Sequence, residues 1–211
     1  MSMEPVMSEG VEQEAGERRA YVPRRKNDPA GVRARILDAA YDLFQSRGYS
    51  ASSVHEIAAA AGVTGGALHH HFATKKAIGL AVIGDRVGAA LEETWLEPVR
   101  SAVNVRDGIA GVLDSLAREL DAQGSVRGCP VNNLTLELAY ADPEFRSELK
   151  RLFDLWRSTI AGRLSGRKDA DALAALVVAA YSGAMAMAKV EQRGEPLRLC
   201  GQELKHVLPG T

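Results

Sequence analysis

Aromatic residues are scarce in this chain, 5% of 211 positions. Runs of Val, Ile and Thr bounded by turn residues are missing as well, which argues against a sandwich or barrel of strands. The two cysteines, Cys129 and Cys200, have no close-spaced partner. That spacing argues against a disulfide framework and a structural zinc site, and reduced thiols are expected. No long apolar run opens the sequence, whose first twenty residues carry five glutamates. Neither a secretory signal nor a membrane span is expected, since the strongly apolar segment 172–188 is rich in small residues and flanked by charge. A cytoplasmic protein is expected. Also lacking are a Gly-rich phosphate loop after a strand, a metal-ligand set at workable spacing and a local nucleophile–base motif, so no enzyme, cofactor or metal is expected. His69-His70-His71 does not alter this, because consecutive helical side chains point about 100° apart and cannot converge on one ion.

What is present is 46% hydrophobic content, arranged as Ala-rich stretches alternating with charge at helical spacing. This predicts an all-α globular chain of about nine helices. Its net charge of -1 hides a strong local asymmetry. Residues 18–76 hold ten Lys/Arg against four acidic residues, residues 1–17 hold five Glu and no base, and residues 77–211 hold sixteen bases against eighteen acids. A basic, compact segment joined to a mildly acidic remainder suits a nucleic-acid-reading module attached to a sensing or dimerising domain.

Residues 1–27 have little apolar periodicity and are expected to form a disordered tail. Its basic end, Arg18, Arg19, Arg24, Arg25 and Lys26, is either an arm along DNA or simply solvated. Asp28-Pro29 predicts a helix start, with Ile36, Ala39, Ala40, Leu43 and Phe44 on its inner side and Gly48 at its end. Ser53 with Glu56 reads as a capping box, Gly62 as a stop, Thr64 as the cap of a third short helix and Thr74 as the cap of a fourth that runs to Pro98. Further helices are expected near 105–123, 131–141, 143–164, 169–191 and 196–207. The proposed division is 28–76 as the DNA-binding domain and 77–211 as an effector-binding and dimerisation domain.

Two short helices can cross steeply at a three- or four-residue turn if the contact residue is small and the turn accepts a left-handed backbone. Ala58 and Gly62 meet those needs, while Val63 plugs the space under the turn and Leu68 anchors the next helix. The blocks Ile36-Leu37-Asp38-Ala39-Ala40, Leu43-Phe44, Gly48-Tyr49, Val54, Ile57-Ala58, Ala61-Gly62-Val63-Thr64 and Leu68 through Lys75 resemble the N-terminal domain of TetR-type regulators. The resemblance implies a helix-turn-helix in which Thr64, Gly65, Gly66, Ala67, His69 and His70 form the reading surface, with Ser53, His55 and Lys75 near phosphates. The family usually carries Lys or Arg at the position of Gly65 and Tyr at that of His69. The glycine pair would also weaken the helix. An interaction protein whose helix-turn-helix no longer binds DNA is therefore the alternative to an operator-binding repressor.

In the second domain, Leu152, Trp156 and Ile160 form one apolar stripe and Leu173, Leu176, Val177, Ala180 and Ala184 another. Helix 169–191 is apolar on its remaining faces too and must be covered on every side. A four-helix bundle between two copies would do this, and the resemblance also implies a homodimer on a pseudo-palindromic double-stranded operator. An effector pocket is expected among Trp95, Leu113, Leu116, Cys129, Asn133, Leu136, Tyr140 and Met185, for a small molecule of unspecified identity. Arg127-Gly128-Cys129-Pro130, Asn132-Asn133-Leu134 and Glu137 resemble a segment in one branch of the family, some members of which sense electrophiles or oxidants. A thiol at a helix start beside an arginine would have a lowered pKa; a small buried residue at the helix entrance is the structural alternative.

Overall fold

The computed structural model describes residues 28–210, and among them the chain is all-helical, with nine helices and no strand. The basic arm expected at Arg18, Arg19, Arg24, Arg25 and Lys26 lies outside the described residues.

Helix α1 (Pro29–Arg47) begins where the Asp28 carboxylate accepts the Gly31 N–H at 3.0 Å, and Pro29 fixes the first turn. It ends at Gly48, whose φ of 90° is a conformation that a residue with a Cβ rarely adopts. Helices α2 (Val54–Ala60) and α3 (Gly65–His71) come next. Ile36, Leu37, Ala40, Phe44, Ile57, Ala58 and Leu68 bury themselves between the three.

A single long rod, α4, leads away from this head. It is built of the consecutive segments Lys75–Ala81, Val82–Val87, Gly88–Leu91, Glu92–Leu96 and Glu97–Ser101, of which the second and fourth have wider π-type turns. Its buried positions Ile83, Val87, Leu91, Trp95 and Val99 recur every four residues. On a regular α-helix that spacing drifts about 40° per step, and the wider turns reduce the drift, so one face stays inward along the rod.

The rest is α5 (Val105–Gln123), α6 (Pro130–Leu138), α7 (Pro143–Arg163), α8 (Ala170–Glu191) and α9 (Glu195–Val207). Three aromatic side chains join α4, α7 and α8, with ring centroids of Trp95–Trp156 5.0 Å, Trp95–Tyr181 4.8 Å and Trp156–Tyr181 5.3 Å apart. Tilted and edge-on geometry of this kind adds about 0.5–1.5 kcal/mol per pair beyond area burial. Among the described residues α8 alone is long and apolar enough to cross a membrane by length and composition, yet 44% of its most apolar window is already buried inside the subunit.

Candidate nucleic-acid interface and effector cavities

The α2–turn–α3 unit is secured at each joint by a side chain the sequence supplies. The Ser53 Oγ accepts the Glu56 N–H at 3.1 Å and the Glu56 carboxylate accepts the Ser53 N–H at 2.8 Å. The Ser53 N–H and then the Ser53 hydroxyl, which also donates to that carboxylate at 2.8 Å, hold the Glu56 pKa below its ordinary value. The turn passes through Gly62 at φ 64°, and the Val63 N–H returns to the Ala58 carbonyl at 3.0 Å. Thr64 then caps α3 by accepting the Ala67 N–H at 3.1 Å.

Only Leu68 on α3 is buried. Thr64, Gly65, Gly66, His69 and His70 are exposed, Ala67 is half-buried, and Ser53 and His55 are exposed on the neighbouring helix. A Cβ placed at Gly65 or Gly66 would meet no atom within 4 Å. The subunit's own packing therefore does not call for glycine at either place. Lys75, expected at phosphates, is half-buried and occupied within the subunit: its Nζ lies 4.3 Å from the centre of the Tyr49 ring and 3.4 Å from the Ser50 carbonyl oxygen.

This head is tied to the larger domain through α6. The Glu137 carboxylate accepts the Tyr49 N–H at 2.8 Å and the Ser50 N–H at 2.5 Å. One turn earlier the Asn133 amide donates to Gln45 Oε1 and to the Arg127 carbonyl, both at 3.0 Å, while its oxygen accepts from Lys189 Nζ at 3.2 Å. Around these run the ion pairs Lys76–Asp142 at 2.7 Å, Lys76–Glu144 at 2.6 Å and Arg86–Asp38 at 2.6 Å. Sequence reasoning missed Gln45 and the tie from Glu137; the visible signal was the i, i+4 placement of Asn133 and Glu137 on one side of α6.

Two cavities flank the first turn of α6. An inner one of about 170 Å³ is lined by Trp95, Leu116, Cys129 and Met185 from the expected set, and also by Trp156, Tyr181, Tyr41, Thr94 and Glu119. A more open groove of about 730 Å³ is lined by Cys129, Asn133, Leu136 and Met185, with Asn132, Ser182, Lys189 and Val190. Two expected pocket residues lie elsewhere. Leu113 is fully buried against α9, where a Cβ on Gly201 would come 3.2 Å from its own Cβ, so that face of α5 is already filled. Tyr140 lies beyond the end of α6 and is 99% exposed.

Cys129 is open to two readings, a reactive thiol and a small buried residue at the helix entrance. Its thiol is buried, and burial pushes its pKa up in spite of the Asn132 and Val131 N–H groups and the Tyr181 hydroxyl around the sulfur. Arg127, expected to activate it, reaches toward Asp42 at 3.9 Å instead. Both features fit the structural alternative.

The expected dimer stripe needs a similar correction. Leu152, Trp156, Ile160, Leu173, Val177 and Ala184 are buried inside the subunit, Ala180 is half-buried, and only Leu176 is exposed. The outward apolar side of α8 is formed instead by Ala172, Leu176, Ala179, Gly183, Ala186 and Val190. A helix apolar on all sides gives no sequence signal for which stripe is taken by its own subunit.

Comparison with known proteins agrees with this architecture. A family model described as bacterial regulatory proteins of the tetR family matches residues 36–82, and one described as the C-terminal domain of LmrA/YxaF-like transcriptional regulators matches residues 106–203. The HTH-type transcriptional repressor DhaR of Mycobacterium sp. (strain GP1) is 31% identical over 182 residues, covering 79% of this chain and 86% of that protein. The transcriptional regulator AcuR of Cereibacter sphaeroides is 29% identical over 188 residues, covering 83% and 84%. Among solved structures, a TetR transcriptional regulator from Chloroflexus aurantiacus superposes with a TM-score of 0.74 at 25% identity, covering 84% of this chain and 94% of that one. The reduced form of Escherichia coli NemR gives 0.76 at 21% identity, covering 85% and 99%, which speaks to the fold alone. With helix-turn-helix and C-terminal domain both matched, this chain belongs to the TetR family of DNA-binding transcriptional regulators.

Proposed function

We propose that this protein is a homodimeric repressor that occupies a pseudo-palindromic operator through α3 and leaves it when a small molecule enters the cavities beside α6. The observation that carries the reading is the bare outward side of α3, where Gly65 and Gly66 meet nothing from their own subunit and Thr64, His69 and His70 stand exposed beside Ser53 and His55. Glycines let the helix backbone approach a duplex closely, and hydroxyl and imidazole groups can then reach phosphates or base edges. DhaR and NemR are both named as repressors, which favours repression here.

Two copies would meet through the outward stripe of α8, whose positions 172, 176, 179, 183, 186 and 190 alternate four- and three-residue steps as a helix–helix seam does. Release would run through α6, since its first turn walls both cavities while Asn133 and Glu137 hold Gln45 and the α1–α2 turn. An uncharged, non-covalent effector suits this better than an electrophile, given the buried thiol of Cys129 with its raised pKa.

The test is a shift assay with the gene's own upstream DNA at several salt concentrations, combined with a footprint. Specific binding that weakens steeply with salt and protects two half-sites is expected. No salt-sensitive binding would favour the non-DNA-binding interaction protein, for which the lack of a long basic side chain at Gly65 speaks.

A further inference from the structure

The inner cavity has a polar anomaly. Trp95 and Trp156 line it, both indoles are fully buried, and neither Nε1–H has an acceptor. Trp95 does lie near enough to the Tyr181 hydroxyl to temper the rise that burial imposes on that phenol, but without hydrogen-bond geometry. Buried donors are almost always paired, so a pair of orphans bordering one cavity points to an acceptor brought from outside. The rest of the wall narrows the choice. None of the lining residues is Lys, Arg or His, while Glu119 stands at the wall, so a carboxylate or phosphate would find no counter-charge and a like charge nearby. The volume of about 170 Å³ resembles that of an engineered cavity of about 150 Å³ known to hold benzene, which sets the scale at six to eight heavy atoms.

We infer that the inner cavity takes a small, uncharged, largely apolar molecule bearing a carbonyl-type oxygen, which accepts from the indole N–H groups of Trp95 and Trp156. Because an indole Nε1–H can donate but not accept, the ligand group must be an acceptor; a ligand carrying only donors would leave both indoles unpaired. Rings of the Trp95–Trp156–Tyr181 cluster supply the apolar contact. This rests on the reading of the cavity as the effector site, and it adds the chemistry by which the site selects.

These are the chain's two tryptophans, so emission excited selectively in tryptophan, away from the tyrosines, reports on this cavity. The full-length protein is titrated with cyclohexanone, with methylenecyclohexane, which replaces the oxygen by an isosteric CH₂, and with cyclopentanecarboxylate, and binding is read by emission and calorimetry. Cyclohexanone is expected to saturate with a tryptophan shift and a Kd about fivefold or more below that of methylenecyclohexane, with the carboxylate weakest. In Trp156→Phe, which keeps a ring and removes the N–H, the ketone's preference over the alkene should fall at least twofold. Equal affinity for ketone and alkene, tightest binding by the carboxylate, or no binding by any probe at millimolar concentration overturns the inference. Running the operator shift assay alongside separates it from the parent reading. Ketone-selective binding that leaves operator affinity unchanged upholds the ligand chemistry and refutes the cavity's role in release, whereas release by a compound that leaves tryptophan emission untouched refutes this site and keeps the repressor.

Discussion

Two outward helix faces of this molecule are built of small residues, and their surroundings give them opposite character. On α3 the small residues are Gly65, Gly66 and Ala67, bordered by Thr64, His69 and His70. On α8 they are Ala172, Ala179, Gly183 and Ala186, bordered by Leu176, Met187 and Val190, the last three between 44% and 85% exposed. Small side chains in both places let another backbone come close. The polar border of α3 suits phosphates and base edges, whereas the apolar border of α8 suits a partner that also needs to leave water. On the proposed reading, small residues mark where a partner approaches, and the rim selects its chemistry.

Giving α8 a charged rim should erase the contrast between the two faces. A Cβ at Gly183 would meet nothing within its own subunit, so Gly183→Arg should leave the subunit folded while placing a cation in the middle of the seam. The expected outcome is a monomer at micromolar concentration by light scattering, with operator affinity lower by about 100-fold or more, because the second half-site is no longer held at high effective concentration. A variant that remains dimeric and binds operator as before would mean that copies meet elsewhere.

On α3 the same contrast is read through two measurements that should move in opposite directions. Gly65→Ala with Gly66→Ala has open space to enter, and each replacement favours the helix. The double variant should gain about 1–2 kcal/mol, roughly 2–8 °C in Tm, and protect the amides of residues 64–71 better against exchange. Operator affinity should fall about tenfold if duplex DNA approaches as closely as the glycines allow. Greater stability with unchanged affinity would show that the bare backbone is not where DNA sits.

The sequence made the capped starts legible, because each is a local event within four residues. Asp28, Ser53, Thr64 and Thr74 all accept the backbone N–H bonds expected of them, and the helices after residue 104 begin and end within about three residues of where periodicity predicted them. Faces were less legible than boundaries. Nothing in the composition of α8 distinguishes the side bearing Val177 and Ala184 from that bearing Ala179 and Gly183, since both are apolar and only the helices packed against it decide between them. The inner cavity was half visible for a related reason: Trp95 and Cys129 were expected there, but Trp156 arrives from a stripe that read as interface, and Tyr181 from the same undifferentiated helix. Glu137 reaches Tyr49 across 88 positions, a distance over which local pattern carries no information.

That long-range tie gives the smallest expected effect and a pH signature. Burial works to raise the Glu137 pKa, but hydrogen bonds from Ser50 and Tyr49, with Lys75 close by, outweigh it and hold the carboxyl below its ordinary value. A carboxylate with a depressed folded pKa contributes stability that is complete above its unfolded value, about 4.3, and is lost as the pH falls through the folded one. Glu137→Gln keeps the shape but removes the charge and replaces one of the two accepting oxygens by an NH₂ that cannot accept, so at pH 7 it should cost about 1.5 kcal/mol, the lower end for hydrogen bonds to an ionised group because the side chain is only half-buried. That corresponds to about 3–6 °C in Tm. Differential scanning of both proteins from pH 7 to pH 3 should find the gap narrowing below about pH 4.3 as the wild-type carboxylate is neutralised. A gap that stays constant across that range would mean that the α1–α2 turn is held by the shape of the contact rather than by its charge, and the tie between α6 and the reading head would then be insensitive to acid.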